Sequence, residues 1–263
     1  MTGSMQGKRG LIMGVANERS IAWGIARSMA AAGAELAFTY QGEAFGKRLE
    51  PLAASVGSDF MVDVDVTEDA SLDTAFEKLG ARWDTIDFVV HAIAYSDKNE
   101  LTGRILNTSR ENFKNSMDIS AYSLIEVARR AHPMMVENGG TILTLTYMGS
   151  TRVTPNYNVM GVAKAALEST VRYLANDLGP EGIRVNAISP GPMKTLAGAA
   201  IGGARKTYKH TDQNAPLRSN ATLDAVGGAA VFLASDVGAC TTGEILRVDG
   251  GFHVLGMPQQ DNL

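Results

Sequence analysis

The stretch Leu11-Ile12-Met13-Gly14-Val15-Ala16-Asn17-Glu18-Arg19-Ser20-Ile21-Ala22-Trp23-Gly24 decides the fold. Leu11, Ile12 and Met13 read as a buried strand. Residues 20–32 then read as a helix, with Ile21, Gly24, Ile25, Ser28 and Met29 recurring at spacings of three and four. Gly14 lets the chain turn between the two and lets backbone approach a phosphate group. Ser20 is placed to cap the helix, whose N-terminus favours negative charge, and Gly24 permits close packing of helix on sheet. Nine residues separate Gly14 from Gly24. The GxGxxG fingerprint is therefore absent, and the turn alone reads equally well as a plain strand-to-helix connection.

The same alternation continues outward from this unit. Apolar runs at 36–40, 60–62, 86–90, 141–146, 184–188 and 244–248 read as strands, and 43–54, 72–82, 110–135, 157–178 and 223–234 as helices. Strands apolar on both faces and separated by helices predict the α/β class. The economical arrangement is one doubly wound Rossmann domain over 1–263, a seven-stranded parallel sheet with helices on both faces. The stretch 190–222 lacks clear strand or helix signals, which is the profile of a functional lid or a disordered segment.

Composition narrows the class further. The 263 residues are 45% hydrophobic and 20% charged, enough for a full core. A net charge of -4 argues against a nucleic-acid partner. The single cysteine, Cys240, can form no intrachain disulfide and fits a reducing, cytoplasmic compartment. With His91, His132, His210 and His253 scattered, no zinc-ligand spacing appears and no metal is expected. No run nears the roughly 18 apolar residues of a membrane span, and residues 1–10 lack a signal-peptide core. Cys240 and His91 read as structural.

Two places suggest chemistry. A Rossmann site reads the adenosine ribose at the end of the second strand, here Tyr40-Gln41-Gly42-Glu43. Gln41 can bond ribose hydroxyls and is no evident phosphate acceptor. Lys47 and Arg48 lie about one helical turn on and keep NADPH open, so NADH is favoured over NADPH. Asp65 can accept from an adenine amino group, or serve as an acid before a helix capped by Thr67 or Asp69. The second place is Thr146-Tyr147-Met148-Gly149-Ser150-Thr151-Arg152-Val153-Thr154-Pro155-Asn156-Tyr157-Asn158-Val159-Met160-Gly161-Val162-Ala163-Lys164. Seven residues at about 100° each put Tyr157 and Lys164 on one face of the predicted helix, roughly 20° short of two turns. A phenol can donate a hydrogen bond to an oxygen gaining negative charge, and a nearby ammonium can hold a ribose and favour that charge. Taken singly, such a tyrosine more often packs in a core and such a lysine more often faces water. Their joint position after the fifth strand, beside the crevice at the strands' carboxyl ends, favours chemistry. Tyr147 reads equally as a rim aromatic or as an active-site group. The small Gly161, Ala163, Ala165 and Ala166 allow a close neighbour.

At these residues the chain resembles the short-chain dehydrogenase/reductase superfamily and, within it, the bacterial NADH-dependent enoyl-[acyl-carrier-protein] reductases. The similarity covers about residues 7–254. Ordinary members carry Tyr-x3-Lys, and Asn-Ala-Gly after the fourth strand. Here the chain has Tyr157-x6-Lys164, Tyr147 ten residues earlier, and His91-Ala92-Ile93-Ala94. Arg184-Val185-Asn186-Ala187-Ile188-Ser189, Thr195-Leu196-Ala197 and Val248-Asp249-Gly250-Gly251-Phe252 also match. The resemblance implies reduction of trans-2-enoyl thioesters on acyl carrier protein, the last step of fatty acid elongation, by a homotetramer.

It further implies NADH contacts from Gly14, Ser20, Ile21, Gln41, Asp65, Val66, Ile93, Lys164, Met193, Lys194, Thr195, Leu196 and Ala197. Tyr157 is implied as the group on the thioester carbonyl, with Tyr147 and Lys164 as further catalytic groups. Ser96, Tyr147, Tyr157, Met160 and Ile201 are implied to line the substrate. The chain departs from the family at Ala94, where glycine is common, at Ala204 and Thr207, where larger apolar side chains are common, and at Pro190. Residues 193–211, with Gly198, Gly202 and Gly203 beside Leu196 and Ile201, read as a mobile substrate lid. Their Arg205, Lys206 and Lys209 read as a contact for an acidic carrier or as a solvated face. Two other readings share the fold: a ketone or alcohol reductase, opposed by the missing Tyr-x3-Lys, and a non-catalytic dinucleotide-binding scaffold, opposed by Tyr157 and Lys164.

Overall fold

The computed structural model describes residues 3–199 and 201–262. Its strands are β1 (Arg9–Met13), β2 (Glu35–Tyr40), β3 (Met61–Asp63), β4 (Phe88–His91), β5 (Gly140–Leu145), β6 (Ile183–Pro190) and β7 (Ile245–Val248). They form one parallel sheet in the order β3-β2-β1-β4-β5-β6-β7. The direction of winding reverses between β1 and β4, which opens a crevice at their carboxyl ends. Met13 pairs with His91, His91 with Thr144, and Thr144 with Ala187. β1 and β4 therefore finish level, β5 runs one residue and β6 three residues further, and the residues after β1, β4 and β5 share one rim.

The helices are α1 (Ile21–Ala31), α2 (Glu43–Ser55), α3 (Asp69–Arg82), α4 (Arg110–Met117), α5 (Ser123–Met135), α6 (Asn158–Leu178), α7 (Leu196–Ala199), α8 (Ala204–Asn214) and α9 (Leu223–Ala234). Successive strand residues point to opposite faces. Leu11, Val89, Ile142 and Val185 pack against Leu72, Leu124 and Leu167 of α3, α5 and α6. Ile12, Phe38, Val90 and Leu143 pack against Ile25, Met29 and Val226 of α1 and α9. The doubly wound sheet expected from sequence is the observed fold. Among the described residues, no helix is long and apolar enough to cross a membrane.

Several local expectations are corrected. The 190–222 stretch holds α7 and α8. The buried residues of α8 are Thr211 and Asn214, so apolar periodicity could not mark it. The 110–135 helix is broken by a π turn, Asp118–Tyr122. Glu68, and not Thr67 or Asp69, stands in the cap position of α3. Tyr157 is the N-cap residue of α6 (φ -121°, ψ -9°) and not part of its first turn. Ser20 stands at the N-cap of α1 without capping it. Its hydroxyl turns back and accepts from the Ala16 and Asn17 amides, each at 3.0 Å.

Gly24 serves a helix–helix contact rather than helix on sheet. A Cβ there would lie 2.8 Å from Leu223 Cβ, and one on Gly227 would lie 2.8 Å from Gly24 O. The two glycines let α1 and α9 share one face of the sheet. Gly24→Val gains a few tenths of a kcal/mol in helix propensity but overpacks the contact at a cost of about 1–3 kcal/mol. The expected net loss is about 1–2 kcal/mol in urea unfolding. An unchanged midpoint would mean that α1 and α9 separate freely.

Candidate active site

Gly14 adopts φ +93°, and a Cβ on it would lie 2.1 Å from Ala92 O. The β1–α1 turn is thus pressed against the end of β4 with no room for a side chain. Ser20, 8% exposed, fixes the shape of that turn through its two amide bonds. α1 starts directly from this turn, and helix N-termini of this kind favour phosphates. Ile21 anchors the start of α1 in the apolar layer below.

At the other end of the crevice, Gln41 Nε2 donates to Asp65 Oδ2 at 2.8 Å. Thr67 donates to Asp65 Oδ1 through its amide at 2.9 Å and its hydroxyl at 2.7 Å. Burial pushes the Asp65 carboxyl up, but the bonds from Thr67 and Gln41 outweigh it and hold the group below its ordinary range. Asp63 Oδ1 accepts from the Gly42 amide at 2.8 Å. The nearby cations are already engaged: Lys47 pairs with Glu43 at 2.5 Å and Arg48 lies over the Phe45 ring at 5.7 Å. Two carboxylates therefore stand beside Gln41 at the end of β2, and among the described residues the nearby cations are engaged, which suits NADH better than the extra phosphate of NADPH. Val66 and Ile93 pack on the apolar layer beneath.

The tyrosine–lysine pair sits at the rim beyond β5. Gly161 lets α6 settle there, since a Cβ on it would lie 2.8 Å from Gly149 O. Lys164 is 5% exposed, and its Nζ donates to Leu145 O at 2.8 Å. Burial pulls its pKa down to about 8, while Glu168 acts in the opposite direction. Tyr157 is 7% exposed. Its ring meets that of Tyr147 edge to face, centroids 5.1 Å apart. Burial, and then the neighbouring Tyr147, push the Tyr157 phenol far up, and burial pushes Tyr147 to about 12. Both phenols are protonated donors near neutral pH.

Tyr157, Met160, Leu101 and Val159 form a small apolar cluster on which Tyr147 and Ile201 pack. Four of the five expected substrate residues thus come together. Ser96 stands apart from the cluster: its hydroxyl donates to Asn112 Oδ1 at 3.2 Å and accepts from Ser116 at 2.9 Å, both on α4. A cleft of about 870 Å³, lined in part by Asn17, Met193, Thr195, Leu196, Ile201 and Tyr208, joins the β1–α1 turn to the 193–211 segment. Within the segment, Thr195 Oγ1 accepts from the Gly198 amide at 2.9 Å, and Lys194 Nζ lies 4.5 Å from the Tyr208 ring centre. The Ala197 side chain lies outside the described set. Asn156 Nδ2 donates to Gly202 O at 2.6 Å and ties the segment to the tyrosine loop.

Sequence reasoning passed over three groups. Ser120, inside the π turn, brackets Tyr95 by accepting from its amide at 3.0 Å and donating to its carbonyl at 3.1 Å. Ser123 donates its hydroxyl to Ile119 O at 2.7 Å and so accepts from His91 Nε2 at 2.8 Å. Glu168 accepts from the Thr146 hydroxyl at 2.7 Å while only 4% exposed. The serines recur at 116, 120 and 123 on the helical period, and Glu168 follows Lys164 by four, so both signals were present in the residue order. His91 is structural as expected, fully buried between Ser123 and Thr144. Cys240 is exposed and takes no part in the core. Among the described residues, no cluster of His, Cys, Asp and Glu could hold a metal.

Fold and site together define a dinucleotide-dependent oxidoreductase of the short-chain dehydrogenase/reductase kind. A family model described as enoyl-(acyl carrier protein) reductase matches residues 14–253. The chain is 58% identical over 263 residues to enoyl-[acyl-carrier-protein] reductase [NADH] 2 of Rhizobium meliloti, covering 100% of this chain and 98% of that one. The crystal structure of FabI from Candidatus Liberibacter asiaticus superposes with a TM-score of 0.96 at 52% identity, covering 98% and 100% of the two chains. That of the reductase from Anaplasma phagocytophilum in complex with NAD gives 0.94 at 52% identity, covering 99% and 97%. The chain belongs to the enoyl-(acyl carrier protein) reductase family.

His91 supplies a test of this packing. Burial first, and Lys164 second, pull its pKa from 6.5 to about 3. Between those values the unfolded chain binds a proton that the folded chain refuses. The stability from neutral His91 is therefore complete above about pH 6.5 and falls as pH drops toward 3, by about 1.4 kcal/mol per pH unit. His91→Gln should flatten the acid side of a stability–pH curve by about that slope. Parallel curves for the two proteins would mean that water reaches the imidazole.

Proposed function

We propose that this chain reduces trans-2-enoyl thioesters of acyl carrier protein to the saturated thioesters, using NADH, at the last step of fatty acid elongation. One observation carries the reading: a buried, protonated phenol and a buried amine stand on one rim of the nucleotide crevice, in a chain of this family. The residues fit a dinucleotide. Gly14 leaves a cradle that any Cβ would fill, and the Gln41–Asp65 pair offers bonding groups for the adenosine end.

Gly14, Ser20 and Ile21 hold the phosphates, Gln41 the adenosine ribose, and Asp65 and Val66 the adenine. Ile93, Met193, Lys194, Thr195, Leu196 and Ala197 bound the nicotinamide side. When bound, NADH supplies the hydride that goes to the β-carbon. Tyr157 donates its hydrogen bond to the thioester oxygen, where negative charge gathers. Its raised pKa keeps the proton on the phenol, so the group acts as a donor and not as a base. Lys164 holds the nicotinamide ribose. Tyr147 braces the Tyr157 ring and stands as the second group at the carbonyl. The α-carbon takes its proton ultimately from solvent. Met160 and Ile201 line the acyl chain, and Ser96 borders it through its tie to α4.

Residues 193–211 act as a mobile lid over the cleft, with exposed Arg205, Lys206 and Lys209 meeting the acidic carrier. The enzyme works as a homotetramer in the cytoplasm, a setting that suits a lone thiol.

Losing one preorganised donor costs about 3 kcal/mol of transition-state stabilisation, a hundredfold or more in rate. Tyr157→Phe should lose at least that in enoyl-thioester-dependent NADH oxidation while still binding NADH. Full turnover in the variant, or oxidation that needs a ketoacyl rather than an enoyl thioester, sinks the assignment. Limited proteolysis tests the lid: cleavage within 193–211 should slow when NADH and a non-reducible thioester are both present. Unaltered cleavage there would remove the lid from the proposal.

A further inference from the structure

We infer that Glu168, one helical turn beyond Lys164 on the buried face of α6, is a positioning residue that keeps the active-site lysine charged. This rests on the assignment of Lys164 to the cofactor ribose. The geometry is as follows. Lys164 and Glu168 are 5% and 4% exposed. They are not joined to each other but are each anchored to consecutive residues leaving β5. Lys164 Nζ donates to Leu145 O at 2.8 Å, and Glu168 Oε1 accepts from Thr146 Oγ1 at 2.7 Å. Thr146, 3% exposed, is itself pinned by its amide to Ile188 O at 2.9 Å. The next residue, Tyr147, carries the ring against Tyr157. Residues 145, 146 and 147 thus touch Lys164 and Glu168 of α6 and Tyr157 at its N-cap in turn.

A buried carboxylate near a buried amine favours the charged form of the amine. The other ionisable groups on the elements packed around Lys164 do not perform this task. His91 on β4 is neutral, and Tyr147 and Tyr157 are protonated. Asp118 on the π turn feels Asp65, Asp69 and Glu126. Glu126, Arg129 and Arg130 of α5 pair among themselves and with Asp69 and Asp73 on α3. Arg110, Glu111 and Lys114 of α4 are exposed. Arg184 on β6 bonds to Thr241 O and Ser235 O. Among the described residues, Glu168, buried one turn along the same helix face, is the charge that opposes the effect of burial on the lysine.

The test is the pH dependence of NADH binding, read by fluorescence with no thioester present. Glu168→Gln keeps the acceptor for Thr146 and removes the charge. Its alkaline limb should move about one pH unit toward acid. Binding should change little near pH 6 and weaken by about tenfold well above pH 8. Glu168→Asp, which keeps the charge, should hold its limb near that of the unaltered protein. Superimposable limbs for the unaltered protein and Glu168→Gln overturn the inference. So does Glu168→Asp moving as far as Glu168→Gln, because shape and not charge would then be at work. Should Glu168→Gln not fold, the apolar Glu168→Met takes its place in ¹³Cε-lysine NMR of the cofactor-free protein: a Lys164 midpoint about one pH unit below that of the unaltered protein upholds the inference, and equal midpoints overturn it. Because no enoyl substrate enters these measurements, the inference can fail while enoyl reduction stands, and the reverse.

Discussion

An ammonium group taken out of water organises the centre of this molecule. Removing such a charge from solvent costs several kcal/mol unless fixed partners replace its hydration. The chain supplies a strand carbonyl at Leu145 and a buried carboxylate at Glu168. It also excludes a competitor: His91, beside the same amine, is held neutral. A second cation there would have repelled Lys164 in a low-dielectric pocket. The close approach of α6 to the 148–150 turn follows from the same need. Lys164 reaches the end of β5 because Gly161, one turn earlier, lies against Gly149 O.

The second constraint is the chain that leaves β4. It must pass the crevice in irregular conformation, where its backbone groups find no strand partner. Side chains from the long α4–α5 region supply the partners: Asn112 takes the Asp97 amide, and Ser120 takes both polar groups of Tyr95. Ser123 bonds His91 at the strand's end. An unbroken α-helix advances 100° per residue, and the π turn at Asp118–Tyr122 inserts extra arc between Asn112 and Ser123. Such turns often occur where a helix must aim side chains at a site. Here the hydroxyls of Ser116, Ser120 and Ser123 meet Ser96, Tyr95 and His91 in turn, and Ser120 also lies 3.8 Å from Met160 Sδ.

Much of this was legible in the order of residues. Alternating apolar runs gave the doubly wound sheet because both its faces are covered, so each strand had to be apolar throughout. The spacing of Tyr157 and Lys164 pointed to a rim where both side chains are buried, although Tyr157 precedes the helix instead of opening it. What escaped was contact made by polar atoms. Ser20 had the composition of a cap, yet its hydroxyl found two loop amides nearer than those of the helix. Gly24 signalled a close approach without saying to what, and the neighbour proved to be α9. α8 buries Thr211 and Asn214, so its one sheltered face is invisible to a search for apolar period. Glu168 resembled any acid on a helix until the fold placed it under β5.

The adenosine end obeys the same electrostatics with opposite sign. Asp65 remains ionised because three donors outweigh its partial burial. Asp63 sits on the Gly42 amide at the mouth of α2. The nearby cations that could have offset them are held on the surface of α2 by Glu43 and Phe45. Two unit charges of like sign about 6 Å apart repel by about 1–3 kcal/mol at effective dielectric constants between bulk water and a protein surface. Each 1.4 kcal/mol is tenfold in affinity. A pair of carboxylates can therefore disfavour an added phosphate with no steric barrier, less so as salt screens them. Gln41 and Thr67 hold Asp65 in place, so that such a repulsion would not be relieved by rotating the carboxylate away.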